Sequence, residues 1–363
     1  MTELEQLTGL LLDGVELETH PLDLDFGRCS IRVMANSPQL LKRLSEYFSH
    51  IVMEDAAAER DIEIIAVEKE SIDLPVTFKD WQREPGKVGR KDSVYDVDGA
   101  RFIRKVRTGM VFLQSQHRRL AVGPCLKNDN QIINFINNQY MTWLQQRDWL
   151  NCHAAALVKD GQAYAVAGFS GGGKSTLMLQ MLEDETTHFL SNDRLFVKQE
   201  ASLVQAAGVA KMPRINPGTI THNPRLENLI PETERARLLA LPPQELWDLE
   251  QKYDVDIDAV YGHGRIEAEA PLKAFLVLNW QRDSSQALQL KQVNLRERED
   301  LLEAIMKAAG PFYLHSDGSF EAPVYGFDKE AYLAVLERVD IYEATGKVDF
   351  ASLAENFLQQ REI

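Results

Sequence analysis

Two periods of apolar residues mark the first part of the chain. Cys29, Ile31 and Val33 alternate with polar residues, a pattern typical of a half-buried strand. Ser37 then precedes apolar residues spaced for one helical face across 40–48, so we expect it to cap a helix there. A strand followed by an amphipathic helix predicts a mixed α/β region.

The same region continues with strands and ends with a helix. Residues 62–67 have the pattern of a strand, and 94–122 that of consecutive strands turned at 98–99 and 108–109, where each turn contains a glycine. Apolar residues at helical spacing then predict a helix that begins near Asp129. This part of the chain is therefore expected to be rich in sheet.

A boundary after position 148 divides the sequence into two predicted domains. Neither a titratable cluster nor a glycine-rich loop marks 1–148, so we expect that domain to serve in packing, substrate recruitment or oligomerisation. Within 149–363, short apolar strands alternate with helical patterns, as in a sheet covered on both faces. We predict a hairpin within 253–280 and helices at 295–308 and 328–337.

Composition narrows the classes of protein. The 363 residues carry a formal net charge of −15, which disfavours the broad basic surface of a nucleic-acid-binding protein. No apolar run reaches the length of a membrane span, and residues 1–12 are acidic rather than basic, so we expect a cytoplasmic protein that contacts no membrane. The cysteines at 29, 125 and 152 suit neither a disulfide framework nor a zinc site and are expected to be buried thiols.

A glycine-rich segment carries the clearest chemical signal. Gly168, Gly173, Lys174 and Ser175 form the pattern G-x-x-x-x-G-K-S, preceded by an apolar strand at 163–167. Glycines let successive backbone N–H groups curl around a phosphate. Lys174 can bridge the β and γ phosphates, and Ser175 can offer its hydroxyl to Mg²⁺. The alternative is a flexible glycine turn.

Strand, loop and helix together predict an ATP site. A helix that begins at Thr176 would point the positive end of its dipole at the same phosphates. The predicted nucleotide contacts are Gly168, Ser170, Gly171, Gly172, Gly173, Lys174, Ser175 and Thr176.

An acidic residue follows the next predicted strand. Asp193 comes after the apolar stretch 188–190, 18 positions beyond Ser175, which leaves room for one helix and one strand. A carboxylate at the end of such a strand can hold Mg²⁺ directly or through water. We therefore expect Ser175 and Asp193 to bind the metal; the alternative is that Asp193 is a turn or cap residue.

Three short segments together suggest a family. They are NCHAAALV with His153, the loop GFSGGGKS, and SNDR at 191–194. With these segments the chain resembles HPr kinase/phosphorylase and the HPr kinase-related kinases, whose P-loop core is similar to phosphoenolpyruvate carboxykinase. The likeness, clear over 150–200, implies an α/β fold in which a mixed α/β domain precedes a P-loop kinase core. It also implies catalytic roles for His153, Lys174 and Asp193.

One position departs from the family pattern. Where these kinases carry the first of two acidic residues, which resembles the general base, this chain has Asn192, and an amide cannot accept a proton at neutral pH. His153 or Asp193 could take the proton instead, or the first domain could supply a base. Alternatively the reaction needs little base, because phosphoryl transfer depends mainly on positioning and charge. We favour His153.

A stiff segment at 208–225 is a candidate for substrate binding. It places cations among prolines and glycines, and Lys211 and Arg214 could clamp a phosphate or a carboxylate while Asn216 orients it. With Asn192 these residues form the predicted substrate contacts. The alternative is a surface connection whose prolines restrict the unfolded chain.

These observations predict an ATP- and Mg²⁺-dependent kinase that transfers the γ-phosphate to a hydroxyl of a small molecule or of a protein serine. Two alternatives stay open, a nucleotide-binding regulatory module with little or no phosphotransfer and a carboxykinase-like reaction. The resemblance also implies a homo-oligomer and a pathway shared with an ATP-grasp enzyme.

Overall fold

The computed structural model describes residues 1–54, 59–82, 89–169, 171–249, 251–281, 283–323 and 326–363. Contacts divide the chain into two compact units, one of Met1–Asp148 with Ala308–Gly326 and the other of Trp149–Lys307 with Phe327–Ile363. The predicted domains, 1–148 and 149–363, stay predictions as functional units; in the structure, 308–326 groups with the first unit.

The first unit consists of a sheet and three helices among its described residues. Its elements are α1 (Glu3–Leu12), β1 (Leu22–Asp25), β2 (Ser30–Ala35), α2 (Pro38–Tyr47), β3 (Ile62–Glu68), β4 (Lys79–Asp80), β5 (Asp92–Val97), β6 (Ala100–Lys105), β7 (Val111–Ser115), β8 (Arg119–Gly123) and α3 (Asp129–Gln145). Within the described part of the chain the strands form one sheet in the order β1-β2-β3-β8-β7-β6-β5-β4. The sheet is mixed, since β3 runs parallel to β2 and β8 and the other pairs are antiparallel.

Local sequence rules account for most of this unit. Ser37 caps α2 as predicted, because its hydroxyl accepts a hydrogen bond from the Leu40 N–H at 3.3 Å. The consecutive strands predicted across 94–122 are β5 to β8, and Gly99 and Gly109 turn the chain with φ of 72° and 70°. The predicted strand at 62–67 and the helix from Asp129 are confirmed as β3 and α3.

The second unit contains the remaining labelled elements. They are β9 (Leu150–Cys152), β10 (Ala154–Lys159), β11 (Gln162–Gly168), α4 (Lys174–Met181), β12 (Thr187–Ser191), β13 (Leu195–Glu200), β14 (Leu203–Ala207), β15 (Arg214–Ile215), α5 (Pro217–Thr221), α6 (Glu232–Leu239), α7 (Pro243–Asp248), β16 (Tyr253–Asp254), α8 (Ile257–Tyr261), β17 (Glu269–Leu278), β18 (Gln289–Gln292), α9 (Leu302–Ile305), α10 (Lys329–Leu336), β19 (Asp340–Thr345) and α11 (Phe350–Leu358). Short 3₁₀ helices occur at Ser49–Ile51 in the first unit and at Pro224–Leu229 and Glu299–Leu301 in the second.

A mixed sheet organises the second unit. Its main path runs β12-β10-β11-β17-β14-β13-β9, and β19 adds to β17 and carries β18. β11 is parallel to β17 and β17 to β19, while β10 is antiparallel to both β11 and β12. Four strands, β11, β12, β17 and β19, therefore end at the same edge, which is where ligands bind in open α/β sheets.

Helices cover both faces of this sheet, as the sequence predicted. Buried apolar residues on one face pack with α9 and α10, and those on the other face pack with α4 and α11. Strands such as β10, whose residues are buried on both sides, accordingly have continuous apolar sequences. The structure thus confirms a mixed α/β fold, and its three cysteines are free and buried.

Two predicted elements of the second unit are wrong. No hairpin forms across the described residues of 253–280, because the Asp256 side chain caps α8 through the Ala259 N–H and β16 pairs with β15. The helix predicted at 295–308 shrinks to a 3₁₀ turn and α9, because Met306 adopts an extended conformation and bridges to Cys152. The helix predicted at 328–337 is confirmed as α10. In the part of the chain that the structure describes, each helix is too short or too polar to cross a bilayer.

Candidate functional site

The glycine loop, residues 168–173, joins the end of β11 to α4. Gly171 and Gly173 have φ of 77° and 87°, in the left-handed region that glycine adopts without strain. A Cβ on Gly173 would lie 2.7 Å from two ring atoms of Phe350, so the loop can pass this ring only with a glycine there. Ser170, one of the predicted nucleotide contacts, lies outside the described residues.

The helix after the loop begins two residues earlier than predicted. α4 begins at Lys174 rather than at Thr176, because the left-handed Gly173 is its N-cap and accepts the Leu177 N–H at 2.9 Å. Lys174, Ser175 and Thr176 therefore form the first turn, whose backbone N–H groups have no acceptor within the helix. These N–H groups and the positive end of the helix dipole can attract an anion.

The Lys174 side chain folds over the loop. Its ammonium donates a hydrogen bond to the Gly168 carbonyl at 2.9 Å, which leaves two further hydrogens for other acceptors. Burial lowers the pKa of Lys174 to about 8, and the carboxylate of Asp193 partly opposes this shift. The side chain is still mostly charged at neutral pH and can interact with a phosphate.

Two hydroxyls of α4 are held by neighbouring segments, the loop after β12 and helix α5. Ser175 donates to the Asn192 amide oxygen at 2.7 Å, and the Thr176 and Thr219 hydroxyls lie 2.8 Å apart. Because the Ser175 proton points to Asn192, the lone pairs of its oxygen can face a cation. Asn192 thus orients the serine rather than acting as a base.

His153 and Asp193 form a pair beside the loop. His153 lies between β9 and β10, and the register that pairs Ala154 with Ala167 places it next to the end of β11. Asp193 follows β12 and adopts a left-handed conformation with φ of 71°. The His153 Nε2 and the Asp193 Oδ1 are 3.1 Å apart.

The electrostatics of the pair favour a neutral imidazole and an ionised carboxylate. Burial lowers the pKa of His153, an effect that the hydrogen bond to Asp193 only partly offsets and that the charge of Lys174 strengthens. Desolvation acts to raise the pKa of Asp193, but the hydrogen bond from His153 and the positive charge of Arg194 outweigh it and lower the pKa. Nε2 is then protonated and donates to Asp193, so Nδ1 is the nitrogen that can accept a proton.

The predicted substrate contacts separate into two groups. Lys211 lies close enough to Asp193 and Arg194 for their charges to affect its pKa, which burial lowers. Arg214 instead pairs with Asp254 at 2.9 Å, and both side chains are exposed. The Asn216 side-chain oxygen is buried and has no hydrogen-bond partner, so its capacity to accept a hydrogen bond is unused.

Sequence reasoning missed Lys307. Its positive charge acts to lower the pKa values of His153, Lys174 and Asp193, so it belongs to the same electrostatic cluster. The chain after α9 is extended, and the Lys307 N–H bonds to the Asn151 carbonyl at 3.1 Å, which brings the side chain to this site. The sequence placed Lys307 in a predicted helix, so nothing in its pattern marked it.

Oxygen ligands for a cation are few here. No group of three or more histidine, cysteine, aspartate or glutamate side chains suited to a metal occurs within the described ranges. Mg²⁺ usually binds one or two protein oxygens and completes its shell with phosphates and waters. The Ser175 hydroxyl and the Asp193 carboxylate fit that kind of site.

A buried arginine supports the far end of α4. The Arg265 guanidinium donates to the Leu182, Asp184 and Thr187 carbonyls, which follow α4 and begin β12. Its side chain does not approach the loop but ties the end of the helix to the sheet. The five N–H donors that a planar guanidinium holds in a fixed fork have no equivalent in other side chains.

Replacement of Arg265 by alanine is expected to lower the free energy of unfolding by about 3 kcal/mol, since it leaves buried carbonyls without donors. Urea unfolding followed by circular dichroism measures the change. Arg237→Ala is the control, because Arg237 forms a surface ion pair with Glu234 whose loss should change the free energy of unfolding little. Equal losses in both variants would show that Arg265 has no special structural role.

Comparison with known proteins finds similarity to solved structures only. The chain matches no protein-family model and no curated protein. A solved structure of the HPr(Ser) kinase/phosphatase from Coxiella burnetii is similar to it at a TM-score of 0.31 and 11% identity, covering 58% of this chain and 94% of that chain. A TM-score this low does not establish a common fold.

Proposed function

We propose that this protein is an ATP- and Mg²⁺-dependent kinase that transfers the γ-phosphate to a hydroxyl group. The observation that carries the proposal is one cluster at the carboxyl edge of the second sheet. There the charged Lys174, at the start of a glycine-loop helix, lies within electrostatic reach of an ionised carboxylate paired to a neutral imidazole. Phosphoryl transfer depends mainly on positioning and positive charge, and this cluster combines a cation, oxygen ligands for Mg²⁺ and a group that can accept the hydroxyl proton.

The glycine loop and the first turn of α4 would bind the triphosphate as a P-loop. Backbone N–H groups of the loop and of the first turn of α4 would surround the phosphates, and the helix would add its dipole. The Gly172 N–H, which donates to the Phe169 carbonyl at 2.9 Å, would have to exchange that bond to take part. Lys174, held over the loop by Gly168, would exchange part of its hydrogen bonding for the β and γ phosphate oxygens.

Ser175 and Asp193 would hold the metal ion. When bound, Mg²⁺ supplies charge neutralisation to the phosphates and holds them in one geometry. By accepting the Ser175 proton, the Asn192 amide oxygen would keep the lone pairs of the Ser175 oxygen turned toward the ion. An amide oxygen can accept this hydrogen bond as a carboxylate oxygen does.

His153 would accept the proton of the acceptor hydroxyl. Asp193 fixes its Nε2–H tautomer, so Nδ1 receives the proton as the acceptor oxygen bonds to phosphorus and ADP leaves. This assignment resolves the departure at Asn192 without a second acidic residue. Lys211, which lies near Asp193 and Arg194, and Asn216, whose side-chain oxygen has no hydrogen-bond partner, would orient the acceptor. The ion pair with Asp254 argues against the same role for Arg214.

The proposal is tested by incubating the protein with Mg²⁺ and γ-labelled ATP. The acceptors are a panel of polyols, sugars, hydroxyl-bearing amino acids and serine peptides, and mass spectrometry locates the transferred phosphate. A product that forms only with Mg²⁺ and intact Lys174 supports the proposal. ATP binding without transfer to any acceptor would favour a regulatory module. Nucleotide turnover that requires oxaloacetate would favour a carboxykinase-like reaction, and absence of ATP binding would overturn all three.

Replacement of His153 by glutamine is expected to lower kcat about 100-fold or more, because an amide cannot accept the proton. ATP affinity should stay within about twofold, since His153 lies outside the loop. In the unaltered protein, kcat should fall as pH drops through the lowered pKa of His153, below its ordinary 6.5, because protonation removes the acceptor. Steady-state rates across this pH range test both effects.

His188→Gln is the matched control for that change, because His188 pairs with Glu267 at 3.0 Å away from the loop. It should leave kcat and its pH profile unaltered. A His153→Gln variant that keeps the rate, or that keeps the same acidic fall in kcat, would remove His153 from the mechanism.

A further inference from the structure

An aromatic pocket borders the glycine loop. It has a volume of about 200 Å³ and is lined by Phe169, Gly171, Gly172, Trp247, Leu278, Asn279, Trp280, Val348 and Phe350. Gly171 and Gly172 belong to the loop, while Leu278 and Asn279 come from the end of β17, the parallel neighbour of β11. The pocket therefore continues directly from the loop along the edge where the parallel strands end.

The lining suits a flat, apolar and weakly polar ring. Four of its side chains are aromatic, and Phe169 is 44% exposed, so part of its ring is open to a ligand. Trp280 and Phe350 meet edge to face with centroids 5.1 Å apart, and this contact helps to hold both rings in place. Aromatic walls of this kind stack nucleobases, because every base has a π face.

The polar side of the pocket, formed by Asn279, is also held in one orientation. The Asn279 amide donates to the Glu343 carboxylate at 2.8 Å, and Arg298 in turn pairs with Glu343, which is 8% exposed. Because Glu343 fixes one amide N–H of Asn279, the other N–H and the amide oxygen keep one orientation. A base carries donors and acceptors on its edge that such a group can meet.

The pocket walls also support the loop. The Trp280 indole N–H donates to the Gly172 carbonyl at 2.9 Å, and the Phe350 ring lies against Gly173. A ligand in the pocket and a phosphate in the loop would thus contact one rigid set of residues. We infer that this pocket binds the base of the nucleoside triphosphate whose phosphates occupy the glycine loop, with stacking on its aromatic walls.

This inference rests on the proposed function, and binding measurements separate the two. Calorimetry compares Mg²⁺-ATP with Mg²⁺-tripolyphosphate, which has the phosphates but no base. Val348→Trp fills the pocket and should weaken ATP binding about tenfold or more, while tripolyphosphate affinity stays within about twofold. Trp247→Ala removes one wall and should have the same selective effect, whereas Trp247→Phe should restore most of the ATP affinity.

Leu203→Trp is the control, because Leu203 is exposed on β14 and does not line the pocket. It should change neither affinity, and circular dichroism should show each variant folded. If neither ligand binds the unaltered protein, the proposed function itself fails. If both ligands bind but no pocket variant weakens ATP selectively, the base lies elsewhere and only this inference is overturned.

Discussion

Replacement of Lys174 by alanine is expected to lower the rate of phosphoryl transfer by about two to three orders of magnitude. The ammonium is the charged group held over the glycine loop, and Gly168 fixes it at 2.9 Å from the loop carbonyl. Alanine removes that charge where negative charge would collect on the transferred phosphate. The rate of product formation at saturating Mg²⁺-ATP measures the effect, and calorimetry shows how much nucleotide affinity is lost.

Lys291→Ala serves as the matched control, because it makes the same change at an exposed position of β18. It should retain full activity. A Lys174→Ala variant as active as this control would end the kinase assignment, since the lysine is the group expected to reach the β and γ phosphates.

Replacement of Asp193 by asparagine is expected to lower kcat by about three orders of magnitude. The change keeps the shape of the side chain but removes its charge, so an amide would no longer hold the His153 Nε2–H tautomer selectively. The same substitution removes a proposed carboxylate ligand of Mg²⁺, so the variant should need more Mg²⁺ to reach half its maximal rate. Rates measured across a magnesium titration report both effects.

Asp254→Asn tests whether any loss of negative charge has this effect. Asp254 forms an exposed pair with Arg214, so its change should lower the rate little. An Asp193→Asn variant within tenfold of the unaltered protein would show that neither tautomer control nor metal binding depends on Asp193. A Mg²⁺ requirement that stays the same while kcat falls would assign Asp193 to His153 alone.

The glycine loop could be recognised from the sequence because its determinants are local. Glycine spacing, a preceding apolar strand and an amphipathic continuation occupy one stretch of chain, and the left-handed Gly173 is a consequence of residue type. The start of α4 was misplaced by two residues, since the N-cap depends on the conformation of the loop and not on a capping side chain. The predicted hairpin within 253–280 is wrong because the Asp256 side chain caps a helix there.

Other parts of the site come from segments far apart in the chain. Lys307 reaches the cluster through backbone pairing with Asn151, and Trp247, Trp280 and Phe350 converge from separate elements. Single aromatic residues in a sequence are usual in a core, so their spacing carried no sign of a pocket. Long-range pairing and packing alone placed them.

By itself the sequence determined the α/β character, the capped helix α2, the sequential strands β5 to β8 and the glycine loop with Lys174 and Ser175. Each of these follows from residue type and spacing within a few turns of chain. Only the tertiary structure decided that Asn192 orients Ser175, that Asp193 contacts His153, and which walls form the aromatic pocket. Those relations depend on strand order and register, which place residues distant in sequence within hydrogen-bonding distance.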